Sequence, residues 1–184
     1  MLTRLASRLQ LLTGGARDLP QRQQTLRAAI DWSYDLLTAA EQKLFRRLSV
    51  FAGGCNLEGV EAICDTKGDL DLDLLDGMAS MLDKSLVQKI EPTTGDSRFV
   101  MLETIREYAL EKLEASGEQP LTKRAHAAYC LVLAEEEAAE ESGAQTAEWQ
   151  ERFAFEYDNF RASLDWLTET EDAECCLLYT SRCV

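Results

Sequence analysis

The sequence predicts a mainly α-helical chain: a winged helix-turn-helix with a small β-hairpin wing, followed by an antiparallel helical-repeat segment. Three observations predict it. Apolar residues recur at three-to-four spacing along most of the chain, the signature of helices with one buried face. That period breaks once, over residues 85–102, where two short extended runs flank strong turn chemistry. Only three prolines and ten glycines punctuate 184 residues, so long helices are allowed.

The elements follow in order. Leu2, Leu5, Leu9 and Leu12 share one helical face. The bases Arg4, Arg8 and Arg17, with no acid before Asp18, also fit a mitochondrial transit peptide, but the apolar stripe favours an amphipathic helix. Thr13 to Pro20 reads as a loop. Leu26, Ala29, Ile30, Ser33, Leu36 and Leu37 mark the next helix. Thr38 and Glu41 form a capping box that starts another, with Leu44, Phe45 and Leu48 inward and Gly53-Gly54 as its stop. Asn56 caps a helix burying Leu57, Val60 and Ile63, and Asp71 caps one burying Leu74, Leu75, Met78, Met81 and Leu82. Strands are expected at Ser85–Ile90 and Arg98–Leu102, joined through Pro92 to Asp96. Three helices and then a hairpin is the order of a winged helix-turn-helix.

Beyond the hairpin, a helix is expected over Glu103–Ala115, closed at Ser116-Gly117. Pro120 suits the first turn of another, running to Glu141 with Ala125, Tyr129, Val132 and Leu133 on a stripe. Trp149, Phe153, Phe160, Leu164 and Leu167 mark one or two more. Consecutive antiparallel helices suit a tetratricopeptide-like (TPR-like) solenoid, although no repeat period shows.

Composition is globular, with 46% hydrophobic and 28% charged residues. The longest apolar run, Ala127 to Ala134, is too short to span a bilayer, so no membrane is expected as a partner. Six cysteines contain no C-x-x-C pair, and reduced thiols in a cytoplasmic protein are the natural reading. Charge is uneven. Residues 1–50 hold eight bases and four acids, whereas residues 51–184 hold 11 bases and 29 acids.

No arrangement of residues suggests catalysis or a metal, and no enzyme activity is expected of this chain. It lacks a G-x-x-x-x-G-K-[ST] phosphate loop. His126 is the sole histidine and reads as a polar residue on a helix surface; Cys130 is its i+4 neighbour, but no third group is evident to orient a Cys–His pair. Cys55 and Cys64 read as buried small hydrophobes. Lys43, Arg46 and Arg47 form a basic patch, read first as a solvated helix face and second as contact with phosphate or an acidic partner domain. Trp32 and Tyr34 are expected in the core or at an interdomain face.

The segment Arg17-Asp18-Leu19-Pro20-Gln21-Arg22-Gln23-Gln24-Thr25-Leu26-Arg27-Ala28-Ala29-Ile30-Asp31-Trp32-Ser33-Tyr34-Asp35-Leu36-Leu37 resembles the stretch joining the ATPase core to the winged helix in bacterial STAND-type (NB-ARC-like) regulators, including those with LuxR-type or antibiotic-regulatory DNA-binding domains. Three further blocks agree in order: Leu44 to Gly54, Met101 to Ala109 and Glu156 to Ala162. The resemblance covers residues 1–170. It implies a switch protein whose upstream core binds ATP or ADP, with no cofactor held by this chain. The implied function is a non-catalytic regulatory module coupling nucleotide-dependent domain closure to a helical sensor domain. Its partners are then its own upstream nucleotide-binding domain and downstream helical repeats. The implied domains are residues 1–20 as the end of the ATPase region and linker, 21–102 as the winged helix, 103–118 as a connecting helix and 119–174 as the start of the TPR-like domain. Residues 175–184 depart from the pattern and read as a non-native tail, since Cys176 to Ser181 matches a translated transposase sequencing adaptor.

Met101, Leu102 and Glu103, with Arg46 and Arg47, are the candidates for an interdomain or nucleotide-proximal surface. Related eukaryotic switches resemble Met-His-Asp at the triplet; Leu102 stands where that histidine would reach phosphate, and is expected to pack in the winged-helix core instead. The alternative function is a free-standing DNA-binding winged-helix transcription factor. The third winged-helix helix weighs against it. From Asp69 to Lys84 it carries five aspartates and one lysine, so direct nucleic-acid contact is not expected.

Overall fold

The computed structural model describes residues 26–65, 68–91, 97–140 and 147–170. The helix and loop read before residue 21, the turn at 92–96 and the tail at 175–184 lie outside them. Helices α1 (Leu26–Asp35), α2 (Ala39–Leu48), α3 (Leu57–Cys64) and α4 (Leu74–Asp83) come first. Strands β1 (Gln88–Ile90) and β2 (Arg98–Val100) follow, then helices α5 (Glu103–Ser116), α6 (Gln119–Glu140) and α7 (Ala147–Glu169).

Local chemistry explains most boundaries. Thr38 and Glu41 form the expected reciprocal capping box of α2. Asn56 caps α3 by accepting from the Gly59 N–H. Two expected boundaries move. Helix α2 ends at Leu48, not at Gly53-Gly54, because the Ser49 hydroxyl takes the Arg46 carbonyl and Val50 and Phe51 turn into the core. Helix α4 is capped by Asp73, which accepts from the Leu75 and Asp76 N–H groups. Asp71 sits at φ 48° in the left-handed region, which no N-cap adopts. The strands are shorter than expected, with Lys89 opposite Phe99 in antiparallel register. A third strand position is present: Cys55 bridges Phe99, giving the order Cys55, β2, β1. One residue carries no alternation, so sequence pattern could not reveal it. Gly117, at φ 75°, closes α5, and α7 is a single helix.

Two hydrophobic cores form among the described residues. The larger joins α1 to α5 and contains Leu44, Phe45, Val60, Ile63, Met78, Met81, Tyr108 and Leu113. Tyr34, Phe45 and Tyr108 stack within it at centroid distances of 5.5, 5.8 and 6.4 Å. The buried thiols of Cys55 and Cys64 sit there as small hydrophobes, as expected. Tyr34 is buried, whereas Trp32 is exposed. The smaller core, of Ala127, Cys130, Ala134, Phe160 and Leu167, joins α6 to α7. These two helices run antiparallel, since Leu121 lies near Thr170 and His126 meets Ser163.

Candidate nucleic-acid interface

Helices α3 and α4 both rest on α2, and the connection between them is pinned. The Asp65 carboxylate accepts from the Leu70 N–H, and Leu70 is buried. Asp69 receives two hydrogen bonds from Arg47, at 2.7 and 2.9 Å, and one from Lys43 at 3.2 Å. These bonds hold its carboxyl far below the usual carboxylate range. The geometry fixes α4 as the second helix of the helix-turn-helix. Its outward positions are Leu75, Asp76, Ala79 and Asp83. Beside it, β1 exposes Gln88, Lys89 and Ile90 at the base of the wing.

The basic patch is not a solvated face. Arg47 is 5% exposed and also donates to the Cys64 carbonyl at 2.6 Å. Arg46 binds Glu118 and the Tyr34 hydroxyl. Arg47 reaches the same Glu118 at 3.2 Å. Burial alone would raise the Glu118 pKa; hydrogen bonds from Arg46 and the charges of Arg46 and Arg47 overcome it and lower it. The cluster fastens α2 to the α3–α4 connection and to the start of α6. Spacing alone could not show this, because the acids that answer these bases lie 22 and 71 residues away.

The triplet after β2 behaves differently from its expectation. Met101 packs against the larger core. Leu102 is 50% exposed as the N-cap of α5, so it does not pack in that core. Its extended backbone turns the side chain outward while its carbonyl accepts from the Ile105 and Arg106 N–H groups. Glu103 is exposed and binds Arg106 within its own helix.

Helix α7 docks on the sheet side of the winged helix. The Asn159 side chain accepts from the Ala52 N–H at 2.9 Å and donates to the Gly54 carbonyl at 2.9 Å. Arg98 of β2 pairs with Glu156 and donates to the same Gly54 carbonyl. Two glycines keep the backbone close here, Gly54 for β2 and Gly53 for α7. Gly54 has φ 80°, and a Cβ there would lie 2.6 Å from the Phe99 carbonyl oxygen; at Gly53 it would lie 2.9 Å from the Phe155 oxygen. Asn159 lies within the block Glu156 to Ala162, but its partners at Ala52 and Gly54 are more than 100 residues away, so its role is visible only in the fold.

His126 lies elsewhere than its sequence pattern predicts. It is 3% exposed rather than on a helix surface. Its ring contacts Phe51 edge-on, with Cys130 Sγ at 3.6 Å and Ser163 Oγ at 3.2 Å. Burial lowers its pKa to about 4, with further repulsion from Arg106 and Lys123. Ser163 is the orienting group that the sequence did not reveal. Cys130 is 1% exposed, so the trio is a packed network and not a reactive site. Among the described residues no cluster of histidine, cysteine, aspartate or glutamate has metal-binding form.

This arrangement defines a winged helix-turn-helix, and residues 37–114 match the winged helix-turn-helix domain family. The chain is 44% identical over 161 residues to "Putative HTH-type transcriptional regulator Rv0890c" of Mycobacterium tuberculosis, covering 87% of this chain and 18% of that protein. A Mycobacterium bovis relative with the same regulator description, Mb0914c, shows the same figures. "Uncharacterized protein Rv0894" of M. tuberculosis is 38% identical over 119 residues, covering 64% of this chain and 30% of that protein. The chain therefore spans less than a third of the relatives it matches. No solved structure matches it.

The expectation of no direct nucleic-acid contact is overturned. The domain match and the regulator names of the relatives point to DNA binding. The summed charge of one helix does not decide contact. Phosphate contacts and base contacts fall on different elements, and carboxylates and apolar groups are themselves base readers: Asp accepts from cytosine N4, and alanine or leucine meets the thymine methyl.

Proposed function

We propose that this chain is a regulatory, DNA-contacting winged-helix segment of a longer transcription regulator, acting in the cytoplasm. The helix, bridge, helix, helix, hairpin order across residues 37–114 carries the reading. In it, α4 enters the major groove with Leu75, Asp76, Ala79 and Asp83 outward, and Lys89 of β1 meets a backbone phosphate. No helix among the described residues is long and apolar enough to cross a membrane, which is compatible with this role. Fluorescence anisotropy with labelled duplex from the regulator's own promoter tests it. The expected complex weakens as salt rises, and Lys89→Ala lowers the slope of log affinity against log salt by about one. Absence of any complex at low salt refutes the reading.

The finer reading makes the parent a STAND-type ATPase. Its upstream nucleotide-binding domain would hold ATP or ADP, and downstream TPR-like repeats would sense an inducer. The docking of α7 on β2 supports it, because a movement of the helical pair reaches the wing through Glu156 and Arg98. In the full-length parent, exchanging ADP for ATP should then change DNA affinity. A parent lacking any phosphate loop, or one indifferent to nucleotide, would end this finer reading and leave the coarser one standing.

A further inference from the structure

A second site lies away from the candidate nucleic-acid face, where α5, α6 and α7 meet. A partly enclosed cavity of about 100 Å³ opens between them. Its apolar lining includes Val50, Leu110 and Ala162. Its polar lining is Arg106 from α5, Lys123 and His126 from α6, and Ser163 from α7, with Trp166 as one wall. No carboxylate lines it, in a chain whose net charge is −14. Trp166 is also a wall of a wider, open cavity of about 470 Å³, lined by Leu121, Arg124 and Thr170, again without a carboxylate.

The cations are not equivalent. Arg106 is held by Glu103, at 3.0 and 3.1 Å, and by the Ser49 carbonyl at 3.2 Å, so its guanidinium is already aimed. Lys123 is half-buried and makes no ion pair with a described residue. Arg106, Lys123 and His126 share this lining, and the two cations add to the burial that disfavours the charged form of His126. With its ring neutral, His126 adds no charge of its own. Arg106 carries its own counter-charge in Glu103, which leaves Lys123 as the lining cation with no ion pair to a described residue; beside apolar side chains and an indole, it suits one charged oxyanion joined to a flat or apolar body.

We propose that this cavity binds a small organic anion, a carboxylate or phosphate monoester carrying an aromatic or apolar group. The oxyanion meets Lys123, with the Glu103-paired Arg106 at its edge, and the body runs past Trp166 towards Leu121 and Arg124. The site is independent of the DNA-contacting reading and stands or falls separately.

His126 is the sole histidine, so its imidazole NMR signals report the cavity without ambiguity. Titration of the whole chain with phenyl phosphate should shift them saturably, with a dissociation constant of about 1 mM or tighter. Lys123→Ala should weaken binding about tenfold, the usual worth of one hydrogen bond to a charged group, and Lys123→Glu should abolish it. Arg27→Ala, on the opposite side of α5, should change nothing. The half-buried Lys123 position keeps both variants folded, which unshifted core signals would confirm. Lack of saturation at about 50 mM, or binding untouched by Lys123→Glu, overturns the site. Equal affinity for inorganic phosphate overturns the assignment of an organic ligand.

Discussion

The winged helix and the α6–α7 hairpin are held together by different means. The first is an apolar core of large side chains, with Leu44, Phe45, Tyr108 and Leu113 fully buried. The second is a seam of small residues, Ala127, Cys130 and Ala134, against Phe160 and Leu167. The hairpin also buries polar side chains, Thr122, His126, Asn159 and Ser163. Apolar burial is strong and non-directional, whereas a buried polar network is weaker but demands one geometry. The winged helix therefore supplies stability, and the hairpin supplies orientation relative to the wing.

Phe45→Ala should break the first half of that comparison most severely. It removes a fully buried ring from the Tyr34–Phe45–Tyr108 stack and should cost about 4 kcal/mol in urea unfolding. The second region should instead respond to pH. His126 has a folded pKa of about 4, below the value near 6.5 of a free imidazole, because burial penalises its charged form. The unfolded chain thus binds the proton more readily. Its contribution is complete above pH 6.5 and is lost as pH falls towards 4, amounting to at most about 3 kcal/mol. Hydrogen exchange should show α6 and α7 opening across that window before α2 to α4, and His126→Gln should flatten the response.

Asn159→Ala separates the two regions without touching the larger core. It strips partners from the Ala52 N–H and one hydrogen bond from the Gly54 carbonyl, and should cost about 2 kcal/mol. Exchange protection should fall in α7 while α2 and α4 keep theirs. The smallest effect belongs to Leu102→Ala. At 50% exposure it leaves no cavity, and the melting midpoint should move by less than about 0.5 kcal/mol equivalent. A large loss would show that Leu102 is covered by something in solution.

The contrast also explains what the sequence could reveal. The larger core was legible because its helices carry strict apolar stripes and local caps, as with Thr38 and Glu41 or Asn56 and Gly59. The single bridge at Cys55 was not, since one paired residue has no period. Arg47 and Asn159 were legible as residue types and not as roles, because their partners lie far along the chain and only the fold brings them near. The burial of His126 is hidden for the same reason: its neighbours Phe51 and Ser163 belong to other elements. The nucleic-acid expectation fails because charge counting weighs phosphate contact alone and is blind to base readout.

Site-specific photo-crosslinking compares the two regions directly on the central claim. A benzophenone side chain is placed at Ala79, on the outward face of α4, or at Val132, on the exposed face of α6. With bound promoter duplex, Ala79 should crosslink to DNA and Val132 should not. Crosslinking from Val132 with none from Ala79 would contradict the account, because DNA would then lie on the hairpin and not on the winged helix.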